Sequence, residues 1–241
     1  MKAIAKCNDA RSVMKWGLAV LIIALAASTG SSADKKDFIV VVDAGHGGID
    51  QGVRLTKALH EKDLTLSIAR MVQERLNGDA VRILLTRSGD DTIGIAERRE
   101  TVRKSNADLF VSLHVNAGFG MQAGGYEFYI LSLNAEPVAG VGSKVIVGDM
   151  AKSEIFNKSY RFAQIMQAGI DGIFPRKGRG IRNGPMIALE GLDVPAVLIE
   201  MAFATNKEDR ERLEELSIRK RLAETIAKSI ESFAREYGAR K

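Results

Sequence analysis

Phe38–Gly48 reads FIVVVDAGHGG, an apolar run that ends in a glycine-rich loop holding a histidine. A second run, Leu109–Asn116, reads LFVSLHVN, and a third, Ala196–Glu200, reads AVLIE. Continuous apolar runs are typical of strands that helices bury on both faces, and ligands collect at the carboxyl ends of such strands. The sequence therefore predicts that two of its three histidines, His46 and His114, meet a glutamate at one edge of a sheet.

Strand-like and helix-like segments alternate along the rest of the chain. Further strands are predicted near residues 81–86, 125–131 and 185–189, and helices near residues 62–77, 93–105, 158–173 and 207–237. This alternation predicts an α/β layer fold with a mainly parallel sheet. Residues 132–157 contain Gly, Pro, Ser and Asn without a clean period, and residues 176–182 form a basic loop broken by glycines.

The N-terminus has the order of a secretory signal. Four basic residues precede an apolar run at 16–27, and small residues follow, with Ser31 and Ala33 forming a cleavage motif. The apolar run has about 12 residues, whereas a membrane span needs about 20. We expect a signal peptide at 1–33, a single domain at 34–241, and export to the periplasm. Secretion into the medium and an uncleaved membrane anchor are the alternatives.

The charge balance gives little support for a nucleic-acid partner. The whole chain has 35 Lys+Arg and 30 Asp+Glu, of which four basic residues and one acidic residue lie in the predicted signal. The remaining chain has a net charge of 31 − 29 = +2, so no nucleic-acid binding is expected. The single cysteine, Cys7, also lies in the signal, which leaves the exported domain without thiol chemistry.

The two strand-end histidines suggest a metal site with one zinc ion. Catalytic zinc commonly takes three protein ligands and leaves one position open for water. His46 and His114 are the first two candidates, and the third is a carboxylate that folds back over the sheet end. Glu61 suits this role because it begins the first predicted helix, but His60 and Asp63 compete with it on position alone.

A second carboxylate is needed to move protons, and Glu200 at a buried strand end suits that task. Burial raises the pKa of a carboxyl group toward the working range if no cation pairs with it. Each residue also has a structural alternative. Glu61 could simply favour the dipole of its helix, and Glu200 could be an ion-pair partner.

At these positions the sequence resembles the zinc-dependent N-acetylmuramoyl-L-alanine amidases of the Amidase_3 type. The matching segments, in chain order, are Asp43–Gly52, Glu61–Asp63, Thr86–Arg87, Arg98, Ala107–Ala117 and Pro195–Asn206. Family members cut the amide between the lactyl group of N-acetylmuramic acid and the first L-alanine of the peptidoglycan stem. The resemblance implies that His46, Glu61 and His114 hold zinc and that Glu200 is the catalytic acid/base. It also implies one domain with a roughly six-stranded mixed sheet and helices on both faces.

The resemblance leads to further expectations about peptidoglycan as the partner. We expect Asn116, Arg179 and Arg182 to bind substrate, the basic loop holding stem-peptide carboxylates, although a solvated loop is an equal alternative. Residues 132–157 are longer than a minimal family member needs. We expect a surface loop there, and the alternative is a regulatory insert that covers the zinc until a protein activator displaces it. We expect a monomer.

Two rival functions remain open from the sequence alone. A zinc peptidase would cut a different bond of the stem peptide. A non-catalytic wall-binding or activator protein could use the same scaffold, but a degenerate copy would be expected to lose one of the four site residues, and this chain keeps them all.

Overall fold

A computed structural model of the chain describes residues 37–76, 80–132, 143–174 and 179–238. The predicted signal peptide lies outside the described residues, and residues 37–241 form a single compact unit. Among the residues described, no helix is both long and apolar enough to cross a membrane.

The described strands and helices alternate as the sequence predicted. The strands are β1 Phe38–Ala44, β2 Val81–Leu85, β3 Leu109–Asn116, β4 Glu127–Ile130, β5 Ile181–Asn183 and β6 Ala196–Phe203. The helices are α1 Glu61–Arg75, α2 Ile95–Ser105, α3 Ser143–Ile170, α4 Lys207–Glu214 and α5 Leu216–Tyr237.

The strands form a six-stranded mixed sheet in the order β2-β1-β3-β6-β4-β5. Strands β2, β1, β3 and β6 pair in parallel, so their carboxyl ends lie at one edge of the sheet. Strand β4 pairs antiparallel with β6 and parallel with β5. Consequently the amino ends of β4 and β5 lie at the same edge as the carboxyl ends of the other four. The predicted α/β fold with a mainly parallel sheet is confirmed.

Helices cover both faces of this sheet, because successive strand residues point to opposite sides. On one face Val42, Val111 and Ile199 pack in a large apolar core that includes residues of α1, α3 and α5. On the other face Val41 and Phe110 belong to a smaller core that takes in Val102 of α2 and the loop at residues 186–194.

Two details of the predicted elements were wrong. Residues 185–189 lie in a loop and turn rather than a strand, and the short strand β5 lies instead at Ile181–Asn183, inside the predicted basic loop. Backbone pairing with β4 explains this strand, since Phe128 lies beside Ile181. A three-residue strand next to glycines leaves almost no periodic signal in a sequence.

Helix α3 begins at Ser143 rather than at residue 158, so the prediction of a surface loop for 132–157 was wrong for residues 143–157. None of residues 149–157 in the first half of α3 is buried, whereas Phe162, Met166 and Ile170 in the second half are, which explains why residues 149–157 show no clear apolar stripe. Residues 133–142 of the predicted insert lie outside the described residues.

Candidate metal centre

The parallel strands bring the predicted site residues to one edge of the sheet. His46 follows β1, His114 lies near the end of β3, and Glu200 lies on β6 directly beside His114. Glu61 is the first residue of α1, which packs against β1 and β3. The sequence-based expectation that these four residues converge therefore agrees with their positions in the structure.

Three of these side chains meet closely enough to share one ion. A ligand atom from each of His46, Glu61 and His114 lies within 4.8 Å of the other two. Glu61 Oε1 is 3.1 Å from His46 Nε2 and 3.0 Å from His114 Nδ1. Zinc bonds of about 2.0–2.1 Å in tetrahedral geometry place neighbouring ligand atoms about 3.3 Å apart. The donor set and its spacing therefore fit one zinc ion.

Backbone and side-chain contacts hold Glu61 and His46 in place. Val115 N donates to Glu61 Oε1 (2.8 Å) and Val53 N donates to Glu61 Oε2 (2.9 Å), so that both carboxylate oxygens are fixed. The other ring nitrogen of His46, Nδ1, lies 2.9 Å from Asp50 Oδ2. A carboxylate behind a ligating histidine orients the ring and increases its basicity.

The glycines around His46 are required by close packing. A Cβ at Gly45 would lie 2.4 Å from His114 Cε1, and one at Gly52 would lie 2.5 Å from Glu61 Oε2. His46 itself has a φ of 62°, a left-handed conformation that is unfavourable for a non-glycine residue. Such strain persists only where surrounding contacts fix the backbone, and it is frequent at functional sites.

Two buried arginines supply those contacts beneath the His46 loop. Arg98 donates to the carbonyl oxygens of His46 (2.7 Å) and Ala44 (2.9 Å) and forms an ion pair with buried Asp43. Arg87 donates to the carbonyl oxygens of Ala44 (3.0 Å) and Gly45 (3.0 Å). The two guanidinium groups thus fix the backbone of the His46 loop. The spacing of the candidate ligands along the sequence does not reveal this contribution.

The electrostatics of the cluster favour a bound cation. Burial alone would lower the pKa of His46, but hydrogen bonds and charge from Glu61, followed by Asp50, raise it to about 9. Burial alone would raise the pKa of Glu61, but hydrogen bonds from His114 and His46 lower it to about 2. The carboxylate is therefore ionised throughout the physiological range and attracts positive charge, from a proton or from a metal ion.

The two residues that competed with Glu61 have other surroundings. His60 precedes α1, and its buried Nδ1 has no hydrogen-bond partner among the described residues. Asp63 lies one turn into the helix and its Oδ2 accepts a hydrogen bond from His60 N (3.4 Å). Neither belongs to the three-residue cluster found in the described part of the chain.

Glu200 lies next to this cluster, but the three cluster residues donate no hydrogen bond to its Oε2 atom. Its Oε2 atom is buried, and no residue that the structure describes donates a hydrogen bond to that atom. Burial raises the pKa of Glu200 to about 7, with His114 opposing the rise and Glu61 adding to it. A carboxylate with such a pKa can both accept and release a proton near neutral pH.

The three residues predicted to bind substrate surround a residue that the sequence analysis missed. Glu127 is 2 % exposed and lies directly opposite Glu200 on β4. Asn116 Nδ2 donates to Glu127 Oε2 (2.8 Å), and the Nε atoms of Arg179 and Arg182 each lie 3.2 Å from Glu127 Oε1. The sequence did carry a signal for Glu127, namely a charged residue within a predicted apolar strand. It was overlooked because Glu127 begins an antiparallel strand, to which the carboxyl-end rule does not apply.

The described part of the predicted insert lies away from the ligands. Residues 149–157 of α3 lead to Ser159, whose Oγ accepts a hydrogen bond from Ala196 N (2.9 Å) at the amino end of β6. Ala196 and Glu200 are four residues apart, about 13 Å along a strand. A regulatory role for the insert stays a prediction.

The fold and the site define an α/β protein with a candidate mononuclear metal centre and an adjacent carboxylate. The Amidase_3 family model, described as N-acetylmuramoyl-L-alanine amidase, matches residues 40–232. The chain therefore belongs to the N-acetylmuramoyl-L-alanine amidase family, and the resemblance noted in its sequence is confirmed.

Individual relatives agree over nearly the whole domain. The chain is 27 % identical over 271 residues to N-acetylmuramoyl-L-alanine amidase AmiA of Escherichia coli K12, covering 96 % of this chain and 94 % of AmiA. An N-acetylmuramoyl-L-alanine amidase structure from Clostridium difficile 630 superposes with a TM-score of 0.70 at 26 % identity, covering 84 % of this chain and 99 % of that one. AmiC2 of Nostoc punctiforme gives 0.68 at 28 % identity, covering 82 % and 97 %.

Proposed function

We propose that this chain is an exported zinc hydrolase that cleaves the amide between N-acetylmuramic acid and L-alanine in peptidoglycan. The observation that supports this most directly is the cluster of His46, Glu61 and His114 beside a buried carboxylate oxygen of Glu200 that accepts no hydrogen bond from any described residue, in a chain of the amidase family. The biological role would be cell-wall turnover or the separation of daughter cells.

The proposed ligands are His46 Nε2, Glu61 Oε1 and His114 Nδ1. When bound, zinc would lower the pKa of water and polarise the scissile carbonyl. The chain's own contribution is to keep Glu61 ionised, to orient the His46 ring through Asp50, and to fix the loop backbone through Arg98.

Glu200 is the proposed general base and acid. It accepts a proton from the water that adds to the carbonyl carbon and delivers that proton to the amide nitrogen as the C–N bond breaks. The products are a glycan with a free lactyl carboxylate and a peptide with a free L-alanine amino group. A pKa near 7 suits both halves of this transfer.

Asn116, Arg179 and Arg182 are the proposed substrate-binding residues. Export by the signal at 1–33 would bring the domain to its substrate, with the periplasm as the proposed location. The proposed active form is a monomer. Regulation by an activator through residues 132–157 stays a prediction, for which the described part of that segment offers no contact with the candidate ligands.

Digestion of purified peptidoglycan with and without a chelator tests this function. We expect wild-type protein with zinc to release peptides that begin with L-alanine and to leave glycan free of peptide, and the chelator to abolish both. Cleavage at another stem-peptide bond would instead identify a peptidase. If metal-loaded protein binds peptidoglycan and releases no peptide, the chain is a binding protein and the proposal fails.

A further inference from the structure

Glu127 lies beside the proposed base, yet neither the ligand set nor the proton transfer uses it. We propose that Glu127 is a positioning residue, which holds Arg179 and Arg182 so that their terminal nitrogens bind a free carboxylate on the second residue of the stem peptide. This inference rests on the proposed function and assigns a substrate preference to the same site.

The contacts of Glu127 show that its own oxygens are already occupied. Oε2 accepts hydrogen bonds from Asn116 Nδ2 (2.8 Å) and from the Tyr129 hydroxyl (2.9 Å). Oε1 pairs with the Nε atoms of Arg179 and Arg182. A buried carboxylate is tolerated only when it is paired and hydrogen-bonded in this way. Glu127 is therefore saturated and is suited to orienting its neighbours rather than to contacting substrate.

The two arginines, by contrast, have binding capacity left. Their side chains are 46 % and 40 % exposed, and within the described residues they pair only with Glu127, through ion-pair contacts of 3.2 Å at Nε. The Arg182 Nε makes this contact without a hydrogen bond to any described residue. Among the described ion pairs, the two guanidinium groups share the single carboxylate of Glu127. The Arg179 guanidinium also lies over the Phe203 ring, 5.7 Å from its centroid, which restricts its rotation.

A charge-assisted pair with arginine is strongest when the planar fork meets a planar anion, and a carboxylate has that shape. Anchoring Arg179 and Arg182 through Nε leaves their Nη atoms to form this fork. Because Glu127 fixes the guanidinium groups beforehand, less side-chain freedom is lost when the anion binds.

The distance from the reacting bond identifies the substrate group. Side chains directly opposite on antiparallel strands have Cβ atoms about 4.5–5.5 Å apart, and Glu127 is opposite Glu200. An extended residue spans about 3.3–3.6 Å. A carboxylate on the residue after L-alanine is thus within reach of the arginine forks when the scissile amide lies at Glu200.

The test compares two soluble muramoyl-L-alanyl peptides that differ only in a free carboxylate or a primary carboxamide on the second residue. For zinc-loaded wild type we expect KM to be about tenfold lower for the carboxylate, with similar kcat for both. In Glu127→Gln the preference should shrink to within about twofold because KM rises for the carboxylate alone. Glu127→Asp should restore part of it, and Glu190→Gln, at an exposed turn, should behave as wild type.

The outcomes separate this inference from the proposed function. If wild type cleaves both peptides with equal KM, the carboxylate site is wrong although the amidase activity stands. If Glu127→Gln lowers kcat on both peptides at unchanged KM, Glu127 acts on the chemistry and the positioning role is wrong. If that variant does not fold, Arg182→Gln, at a half-buried position, must lose the same preference. If wild type cleaves neither peptide, the proposed function itself fails.

Discussion

The two halves of the site differ in how completely their polar groups are hydrogen-bonded. In the ligand half, both oxygens of Glu61 and the backbone of the His46 loop are held by several donors, so the geometry is fixed before an ion binds. In the half formed by β6 and β4, Glu200 keeps a buried oxygen to which no described residue donates, and two arginines remain partly exposed. We infer from this difference that satisfied polar groups suit the proposed metal site, while unsatisfied ones suit the proposed proton transfer and substrate binding.

Replacing the unsatisfied carboxylate should have the largest effect. Glu200→Gln should lower kcat on peptidoglycan by about 10²–10⁴-fold, because an amide cannot accept the proton of the attacking water. It should still bind one zinc ion per chain, since Glu200 is outside the cluster of His46, Glu61 and His114. Dye-release assays and metal analysis would measure both, with Glu190→Gln as the control. Wild-type turnover would remove Glu200 from the mechanism.

The same substitution should stabilise the metal-free protein. Burial raises the pKa of Glu200 from 4.5 to about 7, so ionising it disfavours the folded state. This destabilisation is absent below pH 4.5, grows between pH 4.5 and 7, and is complete above pH 7. Glu200→Gln should therefore raise the free energy of unfolding by about 2–3 kcal/mol at pH 8 and by almost nothing at pH 4. Equal denaturant midpoints of wild type and variant at pH 8 would contradict this.

The support of the His46 loop in the ligand half can be tested by substituting Arg98. Arg98→Lys keeps the charge but cannot reach both the His46 and Ala44 carbonyls in a fixed fork. We expect zinc affinity to fall about 10–100-fold, the usual effect of losing a partner that orients a ligand. Competition with a chelating dye measures this, and Arg103→Lys on the exposed face of α2 is the matched control. A folded Arg98→Lys protein with unchanged affinity would rule out the support role.

The last expected effect, which needs no substitution to observe, is the pH dependence of metal binding. Because the pKa of His46 is about 9, zinc must displace a proton at lower pH. The apparent affinity should therefore weaken about tenfold for each pH unit between pH 9 and 7.5. Asp50→Asn removes one cause of the raised pKa and should shift this dependence to lower pH. Titrations that show the same affinity at both ends of this range would argue against His46 as a ligand.

The sequence predicted the strand-end residues well, and physical reasons explain what it missed. Long apolar runs place His46, His114 and Glu200 at one sheet edge because parallel strands end together. It did not reveal Glu127, since an antiparallel strand brings its first residue to that edge. Position along the sequence also did not decide which of Glu61, His60 and Asp63 is the third candidate ligand, because that depends on how α1 packs against the sheet. The family resemblance was needed to favour Glu61. The early start of α3 was hidden because none of its residues from 149 to 157 is buried.

The most direct test of the metal centre is a crystal structure of the zinc-loaded protein, with the ion located by anomalous scattering. We predict a single strong peak within about 2.0–2.2 Å of His46 Nε2, Glu61 Oε1 and His114 Nδ1, with Glu200 beside it and not bound to it. A peak elsewhere on the chain, or an ion coordinated by Glu200 in place of Glu61, would contradict it.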